Sequence, residues 1–326
     1  MALDKNIIPG IQYLRGLAAL AVLLCHASFG LKNHQFIADV LNYGQLGVHV
    51  FFFISGYVIT LSLLKTNYHP KYFFKFLLKR SIRIDPVYLF TIFLTLFSFW
   101  IITFFPTFKG KSIPFIPGQF FAHVFYIVPF TKWDFYNHVF WTLSVEFQFY
   151  ILIGCLYFLN NSIFFRVAFL ILFSATCFIS LPNSYYLLTN YTALFALGMA
   201  TMHYHNTKHL AYLVTMFLCS VIICYHFSLL VLALVIIAIL MITFMHIKLS
   251  LLNFLGTISY SLYIIHPLVL LYINSITKRI YPNVNDYELI YLFVQLLIAI
   301  GFAYVFYLAI ERPAIKLSKR LNYSLK

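Results

Sequence analysis

The run "LLVLALVIIAILMITFMHI", residues 229–247, contains no Asp, Glu, Lys or Arg. At 1.5 Å per residue it makes about 28 Å of helix, close to the hydrocarbon thickness of a bilayer. Nine further apolar runs of roughly membrane-spanning length cover residues 11–30, 43–64, 84–105, 138–159, 163–181, 186–204, 210–227, 252–273 and 288–311. Only 9% of the chain is charged and 63% is hydrophobic, whereas a soluble domain carries about a quarter charged residues. These features predict an all-α integral membrane protein, a bundle of about ten transmembrane helices forming a single domain over residues 1–326. No cleavable leader is evident, and the first run is long enough to stay as a span. No soluble domain is expected beside the bundle.

A net charge of +14 would suit a nucleic-acid binder, but its distribution points to membrane topology instead. With the N-terminus inside, 16 of the 22 Lys and Arg residues fall on inner segments, among them Lys5, the six from Lys65 to Arg83, and the five from Arg312 to Lys326. The outer segments hold Lys32, Lys109, Lys111, Lys132, Lys278 and Arg279. This positive-inside bias predicts cytoplasmic termini, an inner loop at 65–83 and an outer loop at 106–137. Membrane lipids are the expected surroundings and no nucleic-acid partner is expected. The five cysteines all lie within apolar runs without CxxC spacing, which speaks against disulfides and metal sites.

Ionisable groups inside such runs each cost about 2.5–3.5 kcal/mol even on the lenient insertion scale, so each needs a reason. Arg15 and His26 bracket the first run and are eleven residues apart. That is about 20° past three turns, which puts both on one helix face roughly 16 Å apart. Glu146 in "VFWTLSVEFQFY" is the one carboxylate well inside a run, with Asp85 and Glu311 at run ends. His266 sits in "YSLYIIHPL", where Pro267 is expected to kink the helix. Counted by helical rise, His26, Glu146 and His266 share the outer half of the bilayer. A common polar cavity explains this, and a structural His–Glu pair explains it equally. Arg80 and Arg83, three apart at the inner mouth of the third run, face one way and suit a phosphate; contact with anionic headgroups is the other reading. Asp85–Pro86 is expected to start that span. Gly44, Gly47 and Gly56 read as close-packing positions, with Ser55 and Tyr57 supplying hydroxyls at mid-depth.

Taken in order, these pieces resemble the type-three acyltransferase family of integral-membrane O-acyltransferases. The family's first helix carries an Arg or Lys and, after ten further residues, a His, as Arg15 and His26 do. Its "GxxGVxxFFxxSGY" segment is matched by Gly44 to Tyr57. Its Arg-x-x-Arg motif is matched by Arg80 and Arg83, and "W-[ST]-L-x-x-E" by Trp141 to Glu146. A "YSLYLxHxP"-like helix is matched by Tyr260 to His266, although Pro267 follows His266 directly where the family often has one residue between. The closing "E-x-P" is matched by Glu311 and Pro313. The resemblance runs from about residue 8 to 320 and belongs to the branch without a fused esterase-like domain.

The resemblance implies transfer of an acyl group, acetyl above all, from acetyl-CoA or another acyl-CoA. The implied acceptor is a hydroxyl of a sugar or glycan, such as a cell-surface polysaccharide or lipopolysaccharide component. The implied place is a bacterial inner membrane. Arg15, Arg80 and Arg83 would hold the donor, which is a substrate; no tightly bound cofactor and no metal are implied. His26 would act as general base or acyl carrier, with Glu146 orienting it as a carboxylate does in a triad. His266, Ser55, Tyr57 and Trp141 would furnish a second acid–base group or the acceptor site. Neither the acceptor nor the oligomeric state is legible. A transporter or flippase of a lipid-linked glycan, using His and Glu as a proton relay, is the alternative; it predicts repeated halves or broken helices, which the sequence lacks.

Overall fold

A computed structural model of the chain describes residues 8–102, 104, 114–158, 162–280 and 287–321. Lys5, Lys109, Lys111 and Lys326, used above in the charge argument, lie outside the described residues. The described residues form helices and no strands: α1 (Pro9–Ser28), α2 (Gln35–Asn42), α3 (Gly47–Lys65), α4 (Phe73–Ile102), α5 (Pro117–Val124), α6 (Trp141–Leu156), α7 (Ile163–Ala175), α8 (Thr192–Thr207), α9 (Leu210–His226), α10 (Leu229–Phe244), α11 (Ser250–Ile280), α12 (Glu288–Phe306) and α13 (Arg312–Arg320). Five helical stretches are long and apolar enough to cross a membrane: Pro9–Ser28, Gln35–Lys65, Pro70–Ile101, Ser250–Thr277 and Glu288–Arg320. Four shorter apolar helices accompany them. Nine of the ten apolar runs overlap one of these stretches, and the tenth, 186–204, overlaps α8.

The bundle is apolar on both sides of its helices. In α10 the buried stripe is Val231, Val235, Ala238 and Ile242, the spacing of one helical face. The opposite face exposes Leu229, Leu230, Ile236, Ile237 and Leu240. Helix α4 likewise exposes Phe90, Phe93, Phe97 and Trp100, stacked ring on ring at 5.6–6.0 Å. A surface built this way is solvated by lipid, and the chain is a multi-pass membrane protein.

Helix α1 is the hub, and glycines set its register. A Cβ built on Gly16 would lie 2.7 Å from the Gly256 backbone nitrogen and 2.9 Å from Leu255, so α1 and α11 cross in backbone contact there. Tyr13 donates to the Ile247 carbonyl at 2.8 Å, and His26 meets His266. Contacts that advance together on both helices mean that α1 and α11 run parallel. Both histidines lie ten residues beyond the crossing glycines, so equal rise brings them level. Against α3 the order reverses: Gly44 abuts Ala21 and Gly47 abuts Ala18, an antiparallel pair packed through small residues.

Two local readings need correction. Helix α4 begins at Phe73, not near 84, and runs unbroken through Pro86, so Arg80 and Arg83 are helical residues rather than a loop mouth. Helix α11 is helical on both sides of Pro267, from Ser250 to Ile280, which leaves the expected kink there neither borne out nor contradicted. Within a lipid-embedded bundle, neighbouring groups satisfy the carbonyl that each proline leaves free. The segment read as an outer loop is not wholly a surface element. Tyr126, at φ 59°, inserts between α4 and α6, donating to Asp85 Oδ1 at 2.7 Å and stacking on Tyr88 and Phe147. His123 on α5 braces this insertion: Nδ1 donates to the Gln119 carbonyl and Nε2 accepts from Tyr136 N–H. Burial lowers the His123 pKa to about 4, so the ring stays neutral.

Candidate active site

Two cavities in the bundle, among the described residues, bring predicted site residues together. The larger, about 960 Å³, opens at the end where α1 finishes and α3 and α6 begin, and His26 and His138 lie on its wall. His26 Nδ1 is 2.7 Å from His266 Nε2, and His26 Nε2 is 3.2 Å from His138 Nε2. His266 is fully buried, and its Nδ1 lies 3.1 Å from the Leu262 carbonyl. A carbonyl only accepts, so Nδ1 of His266 carries the proton and, in the neutral ring, Nε2 accepts. His26 Nδ1 must then donate, which leaves His26 Nε2 as the nitrogen with the lone pair. His138 donates to it from Nε2. These tautomers follow from the hydrogen-bond chain rather than from observed hydrogens. The result is a base nitrogen on the cavity wall, held from behind by a backbone-anchored partner and covered by His138, whose hydrogen bond an incoming hydroxyl would replace.

Aromatic faces line the other wall. Trp141 packs 4.7 Å from Tyr185 and 5.5 Å from Tyr191, and Tyr186 joins them. Asn183, Asn190 and His226 add hydrogen-bonding groups beside the rings. Asn183 adopts φ 57°, a conformation Asn tolerates better than most residues, and so starts the turn that carries the tyrosines.

The second cavity, about 130 Å³, lies deeper along α1, and Arg15, Arg80 and Arg83 share it with Glu146 and Glu311. Glu146 accepts from Ser55 Oγ at 2.6 Å and Tyr150 Oη at 2.5 Å. Glu311 is 3% exposed and accepts from the backbone N–H and hydroxyl of Ser261. Hydroxyls and an amide thus hold both carboxylates, and among the described residues no Arg–carboxylate pair comes within 4 Å here. Arg80, 7% exposed, donates from Nη2 to Ser62 at 2.9 Å and lies against the Phe76 and Tyr150 rings. Its Nε is buried without a partner. Three guanidiniums against two carboxylates give this cavity a net positive lining, a setting that suits an anion.

The structure therefore sorts the predicted site residues. His26 and His266 meet directly. Arg15, Arg80, Arg83, Glu146 and Ser55 gather in the arginine cavity, and Trp141 lines the histidine cavity. The expected Glu146–His26 pairing is corrected. Helix α6 starts at Trp141, so Glu146 lies more than a turn in from that end, whereas His26 is two residues from the end of α1. Tyr57 is corrected too, because it bonds His205 Nδ1 at 3.0 Å. Two residues from Ser55, it is about 200° around the helix and faces α8. Sequence reasoning missed His138, Tyr150 and Tyr263, and treated Glu311 only as a helix end. Glu311 closes a π-turn, Tyr307–Glu311, a distortion that re-aims a side chain inward.

The fold and this two-ended interior define a multi-pass membrane protein with an arginine-lined cavity and an imidazole-lined one on a shared helix. The chain belongs to the acyltransferase type 3 family, whose model, described as an acyltransferase domain, matches residues 8–310. Among curated proteins it is similar to O-acetyltransferase OatA of Staphylococcus aureus strains NCTC 8325 / PS 47, COL and MRSA252, each 29% identical over 161 residues. Those matches span 44% of this chain and 24% of the relative. No solved structure matches it significantly.

Proposed function

We propose that this protein is an O-acyltransferase that moves an acyl group, most simply acetyl, from acyl-CoA onto a hydroxyl of a sugar or glycan at a bacterial inner membrane. The reading includes ten spans and cytoplasmic termini, with the arginine cavity nearer the cytoplasm. One observation carries it: α1 alone places Arg15 in the arginine cavity and His26 in the histidine cavity. Family membership supports acyl transfer, and the name of the OatA relatives supports acetyl and an oxygen acceptor. The guanidiniums suit the phosphates of CoA. The Trp141–Tyr185–Tyr191 wall suits the apolar faces of a sugar, with Asn183 and Asn190 for its hydroxyls.

In the proposed reaction, His26 Nε2 removes the proton of the acceptor hydroxyl as its oxygen attacks the thioester carbonyl. The imidazolium that forms donates from Nδ1 to His266 Nε2, which the Leu262 carbonyl holds as an acceptor. Collapse of the tetrahedral intermediate forms the C–O ester bond and breaks C–S. The proton on His26 then passes to the departing thiolate, giving an O-acyl sugar and free CoA. Mass spectrometry of surface glycans from cells with the gene intact, deleted, or carrying His26→Gln tests this. Acetyl-sized additions are expected only with the intact gene. Near-normal acetylation by His26→Gln would contradict the base assignment.

A further inference from the structure

The arginine cavity is much smaller than the donor assigned to it. It holds about 130 Å³, below the roughly 300 Å³ that usually houses a drug-sized ligand. Acyl-CoA is larger than such a ligand and carries, beyond its pantetheine arm, a diphosphate, an adenosine and a 3′-phosphate. Its acyl end points to His26, so its nucleotide end points the other way, past Arg80 and Arg83 towards the start of α4. Two helices lie side by side there. Phe306 of α12 meets Phe90 of α4 with ring centroids 5.7 Å apart. Five residues further along, Glu311 shares the cavity wall with Arg83, seven residues back on α4. The pairing runs in opposite directions, so α13, which follows Glu311 and packs on α4, runs antiparallel past the first turns of α4. Arg83 and Lys79 precede Phe90 by seven and eleven residues, within about 20° of it around the helix, and so lie on the side of α4 nearest α12 and α13. Helix α13 buries Ala314 and Ser318 and exposes Arg312, Lys316, Lys319 and Arg320. Counted by helical rise, Lys316 is about level with Lys79 and Arg320 with Lys75. No Asp or Glu lies between residues 65 and 84 or after Glu311, so both helices present cations without carboxylates.

We propose that this face, α13 beside the first turns of α4, binds the 3′-phosphate end of acyl-CoA, while the arginine cavity takes the diphosphate nearer the pantetheine arm. The inference rests on the acyl-transfer reading above. A phosphate monoester near neutral pH carries close to two negative charges, and lysines meet it as mobile point charges. Anionic lipid headgroups offer the same phosphate chemistry to a basic helix at a membrane surface. Continuity favours the donor. The cations of α4 run from Lys75 through Lys79, at intervals of four residues, to Arg83 on the cavity wall. A molecule held at both ends of that row follows the row, whereas a headgroup needs only its exposed part.

The test uses opened membranes of the producing organism, which carry the full-length enzyme and its own acceptor. They are incubated with acetyl-labelled acetyl-CoA, acetyl-dephospho-CoA, which lacks the 3′-phosphate, or S-acetylpantetheine, which lacks the whole nucleotide end. Apparent KM for label entering the glycan fraction is measured for wild type and for the triple variant Lys316→Gln, Lys319→Gln, Arg320→Gln. Wild type is expected to have a KM for acetyl-CoA about tenfold below that for acetyl-dephospho-CoA. The triple variant is expected to bring the two within about twofold of each other by raising the first, with KM for S-acetylpantetheine changed less than about twofold. Lys316→Arg with Lys319→Arg, which keeps every charge, should keep the wild-type preference. An equal change with all three donors is what a lipid anchor gives, and it overturns the proposal. An unchanged preference in the triple variant, or no preference in wild type, overturns it as well. Where the triple variant transfers from no donor, Lys75→Gln and Lys316→Gln are read singly, and a full preference in both is again contrary. Absence of transfer from every donor by wild type overturns the acyl-transfer reading beneath it.

Discussion

Replacing His266 asks the most of the proposed chemistry, because this ring touches the base and not the cavity mouth. His266→Ala removes the acceptor for His26 Nδ1, so His26 loses both its tautomer and the partner for its imidazolium. The expected outcome is a fall in kcat of about 100-fold with KM for acyl-CoA within about twofold. His266→Gln, whose carbonyl can still accept from His26, should recover part of the loss. Steady-state kinetics check this, and an effect confined to KM would contradict it. Glu146→Gln is expected to change KM for acyl-CoA more than kcat, and to lower that KM, because it removes a negative charge from among the arginines that would hold the phosphates. The Arg15–His26 face was legible from spacing alone. The fate of Glu146 and Tyr57 was not. Counting rise gives a residue's height on its own helix but not the direction it faces, and α3 is too uniformly apolar to declare which side is the site.

At the scale of helices, register is the property that matters. A methyl on Gly16 would press on Gly256 and Leu255, separating α1 from α11 upstream of the histidine pair. Gly16→Ala is expected to cost about 1–3 kcal/mol and to lower turnover with it. Gly301→Ala, where a Cβ would meet nothing within 4 Å, is the control that should change neither. Thermal midpoints in detergent beside kcat give the comparison, and equal behaviour of the two variants would contradict the register argument. The inserted segment makes a pH prediction. Below about pH 6.5 the unfolded chain binds a proton that folded His123 resists until about 4. Stability contributed there is full above 6.5 and declines as pH falls towards 4. The hydrogen-exchange protection of residues 119–136, relative to the intrinsic rate at each pH, should fall over that range in wild type and less so in His123→Gln. The helices themselves were legible because hydropathy marks what lipid will accept. The early start of α4 was not, since its first turns carry Lys75, Lys79 and Arg80, which fall outside an apolar window. Nor was the insertion of Tyr126, whose partner Asp85 is 41 residues away.

Across the whole molecule, the account depends on sidedness. Lys132 and Lys75 are both exposed, and the proposed topology has them on opposite faces of the membrane. Lys132→Cys should react with an impermeant maleimide applied outside intact cells, and Lys75→Cys only after the membrane is opened; the reverse would invert the assignment of the two cavities. That the arginines and the histidines gather in different cavities could be anticipated from Arg80 and Arg83 at one depth and His26 and His266 at another. Their shared wall at Val48 and Tyr263 could not, because it is made where α3 and α11 meet. The most direct measurement uses sealed vesicles of known orientation with labelled acetyl-CoA supplied to one side and glycan acceptor held on the other. Label is expected to reach the acceptor only when acetyl-CoA is on the Arg80–Arg83 side, to be independent of a pH gradient, and to vanish with His26→Ala. Equal transfer from either side, or gradient-driven movement of unmodified glycan without acetylation, would contradict an acyltransferase that works across the membrane.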